Sequence, residues 1–274
     1  MKRLVFAAGF VLLALFSVVA DPGEAGSFSG EKTDWCDGVF HEFTFKDKNC
    51  VVILPEKPGK DRPWIWHGTY FFFKKDKPRE NEMLKNGMSI VYIKTGMFPG
   101  CPEEVKLKNE FYDYVTEKFK LNKKAALLGL SAGGMSSYKW ALENPEKVAC
   151  IYVDNPVCDF KSWPAGLGKS RVKKGLQGVM KVYGFKTEEE ALTYKGNPVD
   201  NMATLVKADV PILVVVAGKD TVVPMEENSA LVEKTYRALG GTNMTVIHKP
   251  DADHHPHGLK DRTPITDFIV KHTK

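Results

Sequence analysis

The stretch Gly-Leu-Ser-Ala-Gly at 129–133 contains a serine, Ser131, whose setting suits nucleophilic chemistry. An apolar run precedes this serine and a helical pattern follows it, so Ser131 falls on a predicted strand-to-helix turn. Glycines two positions before and after it remove Cβ atoms that would clash in such a tight turn. The N–H groups at the start of the following helix favour negative charge. We therefore predict that Ser131 is a nucleophile; the alternative is a glycine-rich helix start without chemistry.

A serine nucleophile needs a base, and the base needs a carboxylate that orients it. Asp220 follows the apolar run 210–218, which is predicted to be a buried strand. Two other aspartates are less well placed, because Asp209 precedes that strand and Asp200 lies in a separate segment. We predict that Asp220 is the acid.

The base is expected in the loop after the predicted strand 243–249, which contains three histidines: His254, His255 and His257. This loop lies at the same edge of the predicted sheet as the serine and the aspartate. A metal site is the rival interpretation, because imidazole is a common metal ligand, but Pro256 restricts a three-ligand geometry. We predict no metal ligand here, and the residues alone leave the choice among the three bases open.

The apolar patterns predict strands that alternate with helices. The strands are predicted at 39–45, 50–55, 62–68, 87–93, 124–130, 148–154, 210–218 and 243–249. The helices are predicted at 103–119, 132–144, 226–240 and 263–273. Such alternation predicts an α/β fold with a mostly parallel central sheet and helices on both faces. Residues 155–205 interrupt the alternation and are predicted to form an inserted cap.

The N-terminal residues 1–20 have the pattern of a secretory signal peptide, with two basic residues followed by an apolar run. An uncleaved membrane anchor is the alternative. Residues 21–34 are small and polar and are predicted to be a flexible leader, so the folded domain is expected over 35–274. The protein is accordingly expected to be secreted or periplasmic, with no stable membrane insertion after cleavage.

The composition is that of an ordinary globular protein: 274 residues, 43% hydrophobic, 27% charged, with a formal net charge of +5. No dense run of Lys and Arg is present, which argues against a nucleic-acid partner. The five cysteines do not have zinc-motif spacing, and their pairing is left open; they are Cys36, Cys50, Cys101, Cys150 and Cys158.

Together these features resemble the α/β-hydrolase family over roughly residues 36–272. The resemblance is carried by "GLSAGG" (129–134), by "GKDTVVP" (218–224) and by the histidine loop. The similarity is greatest to secreted esterase-like members related to the prolyl-oligopeptidase and carbohydrate-esterase groups. It implies the α/β-hydrolase fold, and it favours His254 as the base because the family histidine usually follows a small or acidic residue.

The family also implies an oxyanion hole made of two backbone N–H groups. One is the N–H of Ala132, directly after the nucleophile. The segment "WIWHGTY" (64–70) resembles the family's His-Gly-x segment and implies Thr69 N–H as the second donor, with Gly68 as the alternative. We interpret His67 as a residue that braces this loop, and not as a base.

Substrate contacts are expected from polar and aromatic residues near the strand ends. Asp154, Asp159 and Trp163 begin the predicted cap, and Asp154 and Asp159 favour a polar-rimmed cleft over a wholly apolar one. Trp163 is interpreted either as a stacking surface for a sugar or as part of the cap core. Tyr70 and His255 are the remaining candidates for substrate binding.

We therefore predict a secreted serine hydrolase that cleaves a carboxylic ester, on a carbohydrate or another small polar substrate. Ser131 attacks the acyl carbon, His254 transfers the proton and Asp220 orients the imidazole; no cofactor is expected. The alternatives are a serine peptidase of the prolyl-oligopeptidase type and a non-catalytic binding module with the same fold. The peptidase is the second of these hypotheses, because such enzymes usually carry a large N-terminal propeller domain.

Overall fold

The computed structural model describes residues 38–68, 78–173 and 175–274. The predicted signal peptide (1–20), the predicted leader (21–34) and Cys36 lie outside the described residues. So do Thr69 and Tyr70, which were predicted to serve the oxyanion hole and substrate binding.

A β-hairpin forms one edge of the sheet. Strands β1 (Gly38–Phe45) and β2 (Lys48–Pro55) are antiparallel, with Phe45 opposite Lys48. Lys46 and Asp47 connect them with φ values of 46° and 63°. A two-residue turn with positive φ matches the right-handed twist of the flanking strands. The two strands therefore form a hairpin, with a shorter connection than the gap between the predicted strands 39–45 and 50–55.

The strands of the described residues form one eight-stranded sheet in the order β1-β2-β4-β3-β5-β6-β7-β8. The remaining strands are β3 (Trp64–His67), β4 (Ser89–Ile93), β5 (Ala125–Leu130), β6 (Val148–Asp154), β7 (Ile212–Ala217) and β8 (Met244–Lys249). β2 pairs with β4 antiparallel, and the pairs from β4 through β8 are parallel. The predicted mostly parallel sheet is confirmed, and the carboxyl ends of its parallel strands share one edge.

The described helices are α1 (Pro78–Lys85), α2 (Pro102–Lys118), α3 (Ala132–Glu143), α4 (Leu176–Tyr183), α5 (Glu188–Thr193), α6 (Ala203–Lys207), α7 (Ser229–Ala238) and α8 (Thr263–Thr273). Helix α1 was not predicted, because its sequence "PRENEMLK" carries too few apolar residues to show a periodic pattern. In the part of the chain that is described, no helix combines the length and the apolar character needed to span a membrane.

Two layers of apolar side chains cover the two faces of the sheet. On one face, α2, α3, α6 and α7 pack around Trp64, Trp66 and Trp140. On the other face, α1 and α8 cover Ile65 and Ile90. Trp64 and Trp66 are almost completely buried, so they belong to the core.

The segment 155–205 contains α4, α5 and α6 and has an aromatic cluster of its own. The Phe160 and Tyr194 rings stack with their centroids 5.4 Å apart, and the Tyr183 and Phe185 rings stack at 5.5 Å. This cluster packs against Ala132, the first residue of α3. The segment 155–205 therefore lies beside the strand-to-helix turn that carries Ser131.

Four cysteines fall within the described residues, and all four are buried free thiols: Cys50, Cys101, Cys150 and Cys158. Burial raises the pKa of each thiol, that of Cys50 to about 12. A buried thiol with a raised pKa forms little of the thiolate that reacts.

We predict that these four thiols resist alkylation in the folded protein. Iodoacetamide at neutral pH should leave them unmodified, and all four should react once the protein is unfolded in guanidinium chloride. Intact mass before and after denaturation measures both states. Rapid modification of any of the four in the native protein would contradict their placement in the core.

Candidate active site

The turn between β5 and α3 places Ser131 in an unusual backbone conformation. Leu130 ends the strand, Ala132 begins the helix, and Ser131 between them has φ 53° and ψ −123°. A non-glycine residue in such a region costs about 1–3 kcal/mol and persists only where its surroundings hold it. The predicted sharp strand-to-helix turn is therefore present at Ser131.

Backbone hydrogen bonds hold this turn from two directions. The Ser131 N–H donates to the carbonyl of Asp154 at 3.0 Å, which extends the pairing of β5 with β6 by one residue. The Ser131 carbonyl accepts from the N–H groups of Gly134 and Val157, each at 2.9 Å. A Cβ on Gly129 would stand 2.5 Å from the Gly133 carbonyl oxygen, so only glycine fits at that position.

Ser131, His254 and Asp220 form a continuous chain of hydrogen bonds. The Ser131 Oγ lies 2.9 Å from His254 Nε2, and His254 Nδ1 lies 2.6 Å from Asp220 Oδ2. With its proton on Nδ1, the imidazole donates to the carboxylate and accepts from the serine hydroxyl. This geometry is that of a nucleophile, a base and an orienting acid.

Asp220 is fixed by the loop that follows β7. Its second oxygen, Oδ1, accepts from the N–H groups of Val222 at 2.9 Å and Val223 at 2.8 Å. These bonds leave Oδ2 directed at His254, and both side chains are almost completely buried. The structure thus brings the three predicted catalytic residues together from loops that follow β5, β7 and β8.

Among the three candidate bases, only His254 contacts Ser131 within the described residues. The rings of His255 and His257 lie close by, with centroids 4.7 Å and 5.1 Å from that of His254. Desolvation lowers the pKa of His255, and the neighbouring imidazoles of His257 and His254 lower it further. His255, which was predicted to bind substrate, is exposed at the rim of the site.

Asp154 has a different position from the one expected of a substrate-binding residue. Its side chain is 0% exposed. Its carboxylate accepts from His257 Nδ1 at 3.1 Å and from Gly258 N–H at 2.6 Å, and it lies 3.5 Å from Lys249 Nζ. Asp154 therefore ties the histidine loop to the end of β6. The expectation that Asp154 contacts substrate is corrected, because its carboxylate is buried and bonded to the protein itself.

Asn155 is a buried residue at the site whose contacts the sequence did not show. It is buried, with φ 44°, directly after β6. Its amide Nδ2 donates to the His254 carbonyl at 3.0 Å, and its Oδ1 accepts from Ala217 N–H at 2.7 Å. Asn155 thus joins the ends of β6 and β7 to the backbone of the base. In the sequence, the position of Asn155 as a polar residue directly after a predicted strand is the only feature that indicates these contacts.

Only part of the expected oxyanion hole lies within the described residues. Ala132 begins α3, so its N–H is one of those without a partner inside the helix. The Gly68 N–H donates to the Leu128 carbonyl at 2.7 Å, which removes Gly68 as the alternative second donor. His67 is buried with its Nε2 3.6 Å from Glu80 Oε1, a position consistent with bracing the loop. Thr69 lies outside the described residues.

An apolar cluster lies at the helix start that follows Ser131. Trp163 and Val222 are half-buried and pack against the cluster that includes Ala132 and Val223. Asp159, expected to make the cleft polar, accepts from Lys161 N–H at 2.8 Å and from Asn197 Nδ2 at 2.9 Å. Burial raises the pKa of Asp159, against the effect of the Lys161 N–H and charge. Trp163 thus packs on the cap cluster.

We predict that Asn155→Ala slows the reaction of Ser131 with an organophosphorus reagent by about tenfold. The change leaves the His254 carbonyl and the Ala217 N–H unpaired, which costs about 1–3 kcal/mol, and each 1.4 kcal/mol in a barrier is about tenfold in rate. Asn86→Ala is the matched control, because Asn86 is an exposed amide bonded only within its own helix end. Equal rates for the two variants, measured well below their melting temperatures, would show that Asn155 does not position the base.

Comparisons with known proteins were made for the whole chain. The family model described as "Prolyl oligopeptidase family" matches residues 110–274. No curated protein matches significantly. Among solved structures, dipeptidyl peptidase 4 of Porphyromonas gingivalis superimposes with a TM-score of 0.62 at 13% identity, over 86% of this chain and 35% of that one. This chain thus spans about a third of that peptidase.

Two further structures match over a larger share of their own length. MPT51 of Mycobacterium tuberculosis has a TM-score of 0.61 at 14% identity, covering 82% of this chain and 94% of that one. A 2,6-dihydroxy-pseudo-oxynicotine hydrolase has a TM-score of 0.61 at 19% identity, covering 86% and 68%. At these identities the superpositions show a shared fold, which is the α/β-hydrolase fold. With the family match over more than half of its length, the chain belongs to the prolyl oligopeptidase family of serine hydrolases.

Proposed function

We propose that this protein is a serine hydrolase that cleaves a peptide bond on the carboxyl side of an apolar residue, through an acyl-enzyme on Ser131. The observation that carries the proposal is the hydrogen-bond chain from Ser131 Oγ through His254 to Asp220. The family match supports peptide substrates over the ester expected from the sequence.

The proposed reaction proceeds by two proton transfers at one nitrogen. Ser131 Oγ attacks the acyl carbon while His254 Nε2 accepts the hydroxyl proton, and the same nitrogen then donates that proton to the leaving amine. Asp220 stabilises the imidazolium between these steps. A water molecule then repeats the sequence and releases the acid from Ser131. The N–H of Ala132 is the proposed donor to the oxyanion, with Thr69 as the proposed second donor.

The preference for an apolar acyl side rests on the neighbours of Ser131. The half-buried side chains of Trp163, Val222 and Phe98 belong to the apolar cluster around Ala132. The polar-substrate expectation depended on Asp154 and Asp159, and both carboxylates are bonded to the protein itself. We therefore place a hydrophobic side chain, and not a sugar, against Trp163.

A carboxylic ester of an apolar acid is the second candidate. The triad acts on the acyl carbon in both reactions, and an alkoxide leaves more readily than an amine. The superpositions on MPT51 and on the pseudo-oxynicotine hydrolase cover 94% and 68% of those chains, against 35% of the dipeptidyl peptidase, so the likeness of fold is not limited to peptidases.

We also propose that residues 1–20 direct export of the protein and are then removed. N-terminal sequencing of the secreted protein tests this proposal, and Asp21 is the first residue expected.

We predict that a fluorophosphonate adds once to the wild-type protein and not to Ser131→Ala. His254→Ala and Asp220→Asn should slow the addition by about 10³–10⁴-fold, since each removes one part of the proton-transfer chain. Ser137→Ala, a neighbouring buried serine on α3, is the control and should label like the wild type. Intact mass measures the adduct. Labelling of a folded Ser131→Ala variant would refute the assignment of the nucleophile.

We further predict the order of substrates in a chromogenic panel. Peptidyl p-nitroanilides with Phe or Leu before the scissile bond should exceed those with Asp by at least about tenfold in kcat/KM, because an apolar wall cannot solvate a carboxylate. Trp163→Ala should lower kcat/KM for the Phe and Leu substrates more than it lowers kcat/KM for the Asp substrate. Hydrolysis of p-nitrophenyl esters alone, with every anilide intact, would favour the ester candidate. Cleavage restricted to acylated sugars would overturn the apolar acyl site.

A further inference from the structure

The loop after β8 brings three imidazoles into one group. His254, His255 and His257 each offer a ring nitrogen, and these three nitrogens lie within 4.8 Å of one another. The ring centroids of His255 and His257 are 4.7 Å apart. Proton transfer from Ser131 requires only one of these imidazoles, so the other two need a separate explanation.

Two of the rings are oriented in the same way by buried carboxylates. His254 Nδ1 donates to Asp220 at 2.6 Å, and His257 Nδ1 donates to Asp154 at 3.1 Å. Both carboxylates are almost fully buried. A carboxylate on one imidazole nitrogen fixes the tautomer and the orientation of the ring, which is how histidine ligands of metals are usually supported. Each ring therefore presents its Nε2 as an electron-pair donor.

We propose that His254, His255 and His257 form a site for a divalent transition metal ion such as Zn²⁺, and that the ion reversibly inhibits the hydrolase. Zinc binds imidazole at about 2.0–2.1 Å, so two nitrogens of a tetrahedral site lie about 3.4 Å apart. The three nitrogens are already within 4.8 Å, and His255 is exposed and able to rotate toward the other two. A water molecule completes the coordination.

Inhibition is expected because His254 Nε2 would be both the base for Ser131 and a ligand of the metal ion. His254 Nε2 lies 2.9 Å from Ser131 Oγ and is the atom proposed to accept the serine proton. A metal ion bound there uses the same electron pair, so the serine hydroxyl loses its base. This part of the inference rests on the proposed function, whereas the metal site itself does not.

The test measures binding and reactivity separately on the full-length protein after removal of metal by a chelator. Isothermal titration with ZnCl₂ should give about one equivalent for the wild type. His255→Ala should weaken binding by at least about tenfold, because one of three ligands is lost. His248→Ala, another exposed histidine on the neighbouring strand, should bind as the wild type does. Mg²⁺ should not bind, since it prefers oxygen ligands.

In parallel, the rate of fluorophosphonate addition to Ser131 is measured against Zn²⁺ and expressed relative to each variant's own metal-free rate. The rate should fall with the same midpoint as the titration, recover with EDTA, and shift to higher Zn²⁺ in His255→Ala. No saturable binding, or equal binding by His255→Ala and the wild type, would overturn the site. Stoichiometric binding that leaves the labelling rate unchanged would overturn the inhibition. A wild type that never labels would refute the proposed function, and the titration would still decide the metal site.

Discussion

The left-handed backbone of Ser131 is the constraint on which the rest of the site depends. Its φ of 53° directs the hydroxyl out at the carboxyl edge of the sheet, at a cost of about 1–3 kcal/mol. The surrounding structure offsets this cost: β6 accepts the serine N–H, and Gly134 and Val157 bond its carbonyl. The lack of a Cβ at Gly129 allows the start of α3 to approach β5. Sheet pairing and helix start thus act together to hold one side chain.

A pair of buried aspartates gives the opposite side of the site its rigidity. Asp220 binds His254 and Asp154 binds His257, so a single loop is held at two of its histidines by carboxylates from the loop after β7 and from the end of β6. Asn155 adds a third attachment, to the His254 carbonyl. Buried carboxylates are tolerated only when they are paired and hydrogen-bonded, and here the pairing partners are the loop itself. Moving the loop would therefore remove the imidazole partners of two buried carboxylates.

Local patterns in the sequence were sufficient for much of this arrangement. Apolar runs predicted every strand to within three residues, and the position of Ser131, Asp220 and His254 after such runs placed them at one edge. Helix α1 was missed because Met83 and Leu84 are its buried apolar residues in a mostly polar stretch. The burial of Asp154 was not predictable either, because it depends on His257 and Gly258, more than a hundred residues away. Long-range pairing of this kind leaves no local signature.

The hydrogen-bonded triad and the aromatic cluster of the segment 155–205 have different physical supports in this molecule. Hydrogen bonds at the sheet edge hold Ser131, His254 and Asp220, whereas the segment 155–205 also contains an aromatic cluster. Hydrogen bonds tie the same segment to the loop after β7: the Arg171 N–H donates to the Thr221 carbonyl at 2.8 Å, and the Ser170 hydroxyl donates to the Val222 carbonyl at 2.6 Å. Aromatic clusters accept changes of side chain more readily than a hydrogen-bonded triad accepts a shift of geometry. Substitutions in the aromatic cluster therefore leave the hydrogen bonds of Ser131, His254 and Asp220 in place, whereas changes at Asn155 or Val157 of the same segment act directly on the backbone of His254 and Ser131.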